Sequence, residues 1–211
     1  MRISGGTVRG LTLRSLRGTF LRPTATKVKE ALFDVLGPRV IGATLVDFFA
    51  GTGNIGIEAL SRGAAHVVFI EKHRPSIRLL KTNLARCGLS DKATLCNMDA
   101  TVFLRRFKRR PVTEGRASGF AGAGLPHPFD ILFADPPYHG PLAQSFLRHL
   151  GQSDIINKNS IVVFEHFHKQ VLPERTGCLG LVKRYRYGDT LLSLYQYQST
   201  FDEASGGPEP K

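Results

Sequence analysis

Three cysteines in 211 residues, Cys87, Cys96 and Cys178, form no CxxC pair and no Cys/His ligand spacing, and an odd number would strand a thiol in any disulfide scheme. That scarcity argues against a disulfide framework and fits a reducing compartment. No run approaches the roughly 18 apolar residues of a membrane span, and residues 1–10 lack the apolar stretch of a secretory leader. Acid is scarce too: 17 Asp and Glu stand against 29 Lys and Arg, a net charge of +12. A chain of about 200 residues buries roughly 70% of its unfolded surface and needs no staples. The expectation is a soluble cytoplasmic protein of one domain with a small appendage.

The charge is concentrated. Residues 1–39 hold eight basic side chains against two acidic ones, and residues 104–116 hold six against one, so the rest of the chain is close to neutral. Two basic patches match the electrostatic footprint of a polyanion, nucleic acid first, although a solvated surface can cluster charge as well.

From residue 43 onward, short apolar runs alternate with helical patterns. TLVDFFA (44–50), HVVFIE (66–71), ATLCNMD (93–99), FDILFA (129–134) and SIVVFE (160–165) read as buried strands. The clearest helix between them places Ile77, Leu80, Leu84 and Cys87 on one face and ends at Gly88. Strand and helix in repetition predict a parallel sheet covered on both faces. Residues 182–187 and 190–197 flank Gly188-Asp189, a two-residue hairpin signal, so the sheet is expected to finish antiparallel. Residues 1–40 break the rhythm: short extended pieces at 2–4 and 11–13, then a helix over 26–36, read as a basic hairpin-plus-helix appendage docked on the main sheet. The main domain is expected over 41–199, with a mobile loop at 108–128 and a disordered tail at 200–211.

Three motifs carry chemistry. Asp47-Phe-Phe-Ala-Gly51-Thr-Gly53-Asn-Ile-Gly56 sets a glycine-rich turn between a strand and a helix, where a ligand must approach the backbone closely. Glu71 ends the next strand 20 residues after Gly51, where a carboxylate can accept both hydroxyls of a ribose. This pairing points to a nucleoside cofactor. Asp47 favours S-adenosylmethionine over a dinucleotide, because a carboxylate there receives an ammonium group but repels a pyrophosphate. Asp99, after Met98, can accept from an adenine amino group, and equally can cap a helix.

Asp135-Pro136-Pro137-Tyr138 is the most specific signal. Consecutive prolines remove two donors and fix φ, so the chain leaves its strand rigidly with carbonyls aimed outward. An exocyclic amino group on a base is a poor nucleophile, since its lone pair is delocalised into the ring. Acceptance of its two hydrogens by the Asp135 carboxylate and the Pro136 carbonyl localises that pair, and Tyr138 offers a face on which a flipped base can stack.

These stretches, together with RISGG (2–6), Arg9-Gly10, LRPT (21–24), EALF (30–33) and the closing YGDTLLSLY, resemble RsmD-type bacterial methyltransferases over about residues 1–198. The resemblance implies methyl transfer from S-adenosyl-L-methionine to the exocyclic N2 of a guanine in small-subunit (16S) ribosomal RNA. It implies a class I methyltransferase α/β fold, a Rossmann-like sheet of seven strands with the last antiparallel. By position it implies cofactor contacts at Asp47, Gly51, Gly53, Glu71, Met98 and Asp99, and catalysis at Asp135, Pro136 and Tyr138. The basic N-terminal residues Arg9, Arg14, Arg17 and Arg22 are expected to grip RNA phosphates. The expected partner is ribosomal RNA in the small subunit or its assembly intermediate, with no membrane and no metal, and with the protein acting as a monomer. The 108–128 loop departs from the family pattern.

Other readings stay open at this level. An adenine-N6 nucleic-acid methyltransferase shares the Asp-Pro-Pro-Tyr logic but needs a larger recognition domain. A glutamine-N5 methyltransferase, a non-catalytic RNA-binding assembly factor and an NAD oxidoreductase fit less of the pattern. His166 and His168 share one side of a strand without the partners of a zinc site. Arg184 and Arg186 alternate with Tyr185 and Tyr187, as stacking on RNA or simple two-sided exposure both require. Glu165 ends a strand and receives no role.

Overall fold

The structure, a computed structural model, describes residues 1–16, 23–107, 128–137 and 141–198. Arg17, Arg22, Tyr138, all but the last residue of the 108–128 loop and the 200–211 tail lie outside the described residues.

Five parallel strands carry the fold: β1 (Thr44–Phe48), β2 (His66–Ile70), β3 (Ala93–Cys96), β4 (Ile131–Ala134) and β5 (Ile161–Phe167). They are followed by β6 (Arg175–Thr176), β7 (Leu179–Tyr187) and β8 (Thr190–Tyr197), in the order β3-β2-β1-β4-β5-β8-β7-β6. The first five are mutually parallel, and β8 runs antiparallel beside β5, with Phe164 opposite Ser193. The antiparallel finish is therefore as expected, but among the described residues the strands number eight and not seven. The addition is β6, two residues paired with Leu179 and Gly180 across a turn at Gly177, whose φ is 57°. A two-residue strand has no alternation to read, so only the turn's closure reveals it.

Helices α1 (Pro23–Leu36), α2 (Asn54–Ser61) and α3 (Arg74–Cys87) cover one face, and α4 (Ala100–Arg105) and α5 (Leu142–Gly151) cover the other. Proline at the first position of α1 starts the helix three residues earlier than its apolar period indicates, as its fixed φ and missing N–H permit. Strand residues sort strictly by parity: Leu45, Phe69, Phe133 and Val163 face the first set of helices, while Val46, Phe48, Val68, Leu132 and Phe164 face the second. On that second face Phe146 of α5 lies edge-on to Phe48 at 5.0 Å and against Phe164 at 6.1 Å. Each such ring contributes about 1.5–3 kcal/mol through burial alone. Among the described residues no helix is long and apolar enough to cross a membrane.

The N-terminal segment is held by side chains that the apolar pattern does not announce. Arg2 and Thr12 form a single antiparallel bridge, and the segment between lies on α2. Glu58 of α2, fully buried, accepts from the Ser4 and Gly5 N–H groups and the Ser4 hydroxyl, and pairs with Lys29 of α1 at 2.8 Å and with Arg62 at 2.9 Å. Burial alone would raise its pKa, but these donors hold it below the usual carboxylate range. Gly6 packs so tightly on the Ser61 carbonyl that a Cβ would sit 1.7 Å from its oxygen.

Candidate active site

Parity and register together assemble the site. Asp47, Glu71, Asp135 and Glu165 each stand two residues beyond a residue on the α1–α3 face, so all four carboxylates project to that face at the C-terminal ends of four adjacent strands. Asp135 and Glu165 lie one step past the paired residues Ala134 and Phe164. In a protein of charge +12, this rim is acidic.

The carboxylates feel one another. Burial first, opposed by the Gly56 N–H at 3.0 Å and reinforced by Glu71, pushes the Asp47 pKa up to about 7. Burial, then Glu165 and Asp47, raise Asp135 well above the usual carboxylate range. A positive ligand relieves both costs; a pyrophosphate would add to them.

Glu71 links two turns. Its Oε2 accepts from Gly51 N–H at 2.8 Å and its Oε1 from His73 N–H at 2.7 Å, leaving each oxygen a second lone pair. Asn97 donates to the carbonyls of Glu71 and Lys72, tying the ends of β2 and β3 together. Asp99 caps α4 through the Thr101 N–H at 2.8 Å, the alternative its sequence position left open, while its other oxygen meets Lys72 at 3.4 Å. Burial would raise the Asp99 pKa, but these donors lower it. Met98 is half-buried beside it, against the α4–α5 core.

The glycine turn divides its labour. A Cβ at Gly51, whose φ is 55°, meets nothing within 4 Å, so that surface is open to a ligand. At Gly53, with φ 89°, a Cβ would fall 2.2 Å from Leu80, and at Gly56 it would fall 2.2 Å from the Phe69 ring. Gly53 and Gly56 are thus required by packing as well. Phe49, at φ 62°, is the one positive-φ non-glycine among the described residues, and it lies inside this turn against Phe146 at 5.1 Å. Strain of that kind, held by surrounding contacts, is typical of ligand sites.

Asp135 is half-buried, Pro136 buried and Pro137 exposed, so the chain leaves β4 directly at the rim. Arg9 and Arg14 are exposed, and the Arg14 backbone is hydrogen-bonded to Asn83, which also holds Thr52 of the glycine turn. The structure thereby brings Arg14 to the glycine turn. Arg2 and Arg9 line a groove with Ser4, Gly10 and Glu30. A separate groove, bordered by Arg39, Asp130 and Asn159, lies at the opposite ends of the strands and takes no part.

Two other candidates resolve into structure. His166 Nε2 meets the Ser193 hydroxyl at 2.8 Å and His168 meets Asp189 at 3.6 Å; among the described residues no three His, Cys, Asp or Glu side chains are grouped to hold a metal. Tyr185 and Tyr187 pack on the α1–α3 core, while Arg184 reaches the Leu172 carbonyl and Glu174. Their alternation is that of a strand with one packed side.

Fold and site define a class I methyltransferase: a parallel sheet with an antiparallel finish, a glycine turn and acid after its first two strands, and Asp-Pro-Pro after its fourth. A family model described as "Conserved hypothetical protein 95" matches residues 1–196, and the chain belongs to that family, the RsmD-type methyltransferases. The chain is 33% identical over 196 residues to "Putative rRNA methyltransferase YlbH" of Bacillus subtilis, covering 93% of this chain and 98% of that one. It is 31% identical over 199 residues to "Ribosomal RNA small subunit methyltransferase D" of Escherichia coli K12, covering 94% and 91%. A solved structure described as a putative methyltransferase yhhF from Escherichia coli superposes with a TM-score of 0.77 at 30% identity, covering 94% of this chain and 98% of that one.

Proposed function

We propose that this protein transfers a methyl group from S-adenosyl-L-methionine to the exocyclic N2 of a guanine in small-subunit ribosomal RNA. The observation that carries the reading is the placement of Asp135-Pro136-Pro137 at the rim, on the same sheet face as Asp47 and Glu71.

The residues fit the cofactor. Asp47 would receive its ammonium group, Glu71 the ribose hydroxyls, and Asp99 with Met98 the adenine, while the open surface at Gly51 would let the ligand approach the backbone. When bound, S-adenosyl-L-methionine supplies an electrophilic methyl on a sulfonium that leaves as a neutral thioether. Asp135 and the Pro136 carbonyl accept the two hydrogens of the base amine and so direct its lone pair outward. Asp135, whose basicity is raised by burial and by Glu165, would take the surplus proton that N2 must shed once methylated. Tyr138 is given the stacking role by its place in the motif. Positioning supplies most of the remaining acceleration, with no metal and no covalent enzyme intermediate.

Arg9 and Arg14, with Arg17 and Arg22 by their place in the basic N-terminal segment, neutralise RNA phosphates. The reading is of a monomer acting on the small subunit or its assembly intermediate. The test is tritiated S-adenosyl-L-methionine with small subunits lacking this methylation, followed by nuclease digestion. Label in N2-methylguanosine is expected. Label in N6-methyladenosine would reassign the base, and no label with subunits, free RNA or DNA would point to a binding protein.

A further inference from the structure

Two buried side chains connect the N-terminal segment to the residues on either side of Gly53. Asn83 of α3, fully buried, accepts from Arg14 N–H at 2.9 Å and donates to both the Arg14 carbonyl and the Thr52 carbonyl at 3.0 Å. Its amide thus pairs with both backbone groups of one residue, as a neighbouring strand would, and spends its remaining hydrogen on the glycine turn. Lys29, 2% exposed, donates to the Arg2 carbonyl at 2.6 Å and to Asn54 Oδ1 at 3.3 Å while pairing with Glu58. Arg2 and Arg14 mark the two ends of the docked segment, and Thr52 and Asn54 flank Gly53.

From this geometry we propose that Asn83 is a positioning residue that couples RNA engagement to cofactor binding: the RNA-gripping segment and the cofactor turn form one hydrogen-bonded unit, so each ligand favours the other. The proposal rests on the reading of Arg9 and Arg14 as RNA contacts. Its physical basis is that a buried amide is not satisfied by halves. Displacement of Arg14 abandons two of its bonds, and displacement of Thr52 abandons the third, so the two backbones hold or release together. A ligand that fixes Gly51-Thr52-Gly53 therefore also fixes residue 14, and by linkage RNA on the segment tightens the turn. Lys29 gives the second attachment, which keeps the segment docked when Asn83 is altered.

The experiment measures RNA affinity of the whole protein by filter binding to unmethylated small subunits, with and without saturating S-adenosylhomocysteine, which prevents turnover. Wild type is expected to bind at least about fivefold more tightly with the ligand. In Asn83→Asp, which keeps the acceptor for Arg14 and loses both donated bonds, the ratio is expected to fall clearly below the wild-type value, with the Lys29 link carrying what remains. Affinity for S-adenosylhomocysteine without RNA is expected to change less than that ratio does. A ratio of one in wild type, or equal ratios in wild type and variant, overturns the coupling. Hydrogen exchange of the Arg14 amide, measured without RNA, separates this failure from that of the RNA assignment. If S-adenosylhomocysteine slows that exchange in wild type and not in the variant, the link between turn and segment stands, and a failure to bind RNA counts against the RNA assignment alone. If the ligand leaves the exchange unchanged in wild type, the coupling is refuted even where the variant fails to fold.

Discussion

Replacement of Asp47 by Asn tests the electrostatic reading of the site most directly. The substitution preserves shape and leaves an oxygen for the Gly56 N–H, removing only the charge. In the unfolded chain the carboxyl titrates at 3.8, and in the folded protein at about 7. The folded state therefore binds more protons between these values, so this group's contribution to stability is most favourable below pH 3.8, declines as pH rises to about 7, and is level above. At 1.36 kcal/mol per pKa unit, the wild-type carboxylate costs about 4 kcal/mol at pH 8. Asn carries no such cost. Without ligand, the stability difference between Asp47→Asn and wild type is expected to be near zero at about pH 4 and to grow to about 4 kcal/mol in the variant's favour at about pH 8. In a domain of this size that is roughly 10 °C in melting temperature. Thermal unfolding across pH measures it, and the difference between the two proteins cancels the titration of groups outside the carboxylate cluster, leaving Asp47 with its coupled neighbours Glu71 and Asp135. Added S-adenosyl-L-methionine, whose ammonium and sulfonium charges compensate the carboxylate, is expected to raise the wild-type melting temperature much more than the variant's. A stability difference flat with pH would refute the reasoning, since Asp47 would then titrate alike in both states.

Asp135→Asn is expected to keep cofactor binding while activity falls at least about 100-fold, and the wild-type rate is expected to drop on acidification as the raised Asp135 pKa is crossed, both read in a single-turnover methylation assay. Gly51→Ala should fold with a loss of only about 1–2 kcal/mol, the cost of a Cβ at positive φ, yet bind cofactor at least about tenfold more weakly by calorimetry. Gly53→Ala should destabilise the fold itself, because its Cβ collides with Leu80. Arg9→Ala with Arg14→Ala is expected to weaken RNA binding and to flatten the dependence of log affinity on log salt by about 0.7–0.9 for each phosphate left without its arginine; an unchanged slope would remove these residues from the interface. Lys29→Ala should cost about 3 kcal/mol in denaturant unfolding, since it leaves the fully buried Glu58 short of its nearest cation.

Much of the site was legible because its parts are local. A glycine turn must follow its strand within a few residues, Glu71 ends the next strand, and two prolines announce their rigid exit wherever they stand. Glu165 was less so: its strand was readable, but its closeness to Asp135 follows from the pairing of β4 with β5, whose residues lie some 30 positions apart. Asn83, Glu58 and Lys29 were not legible at all. Each is a polar residue in a helix whose apolar face is the stronger signal, and each depends on partners 25 to 69 residues away, to which Glu58 adds only Arg62 from nearby. No spacing rule reports a partner at that distance.

The sequence by itself determined the alternation of strands and helices, the closing hairpin, the places where a backbone must turn tightly, and the residue types able to hold a nucleoside and polarise a base amine. These follow from periodicity and from local sterics, which act over a few residues. Only the tertiary structure decided that Asp47, Glu71, Asp135 and Glu165 share one face, that Gly51 is open while Gly53 is packed, and that residues 2–14 are tied to the glycine turn. Those facts depend on strand order, register and the satisfaction of buried polar groups, all of which are set by the sheet and its covering helices closing together.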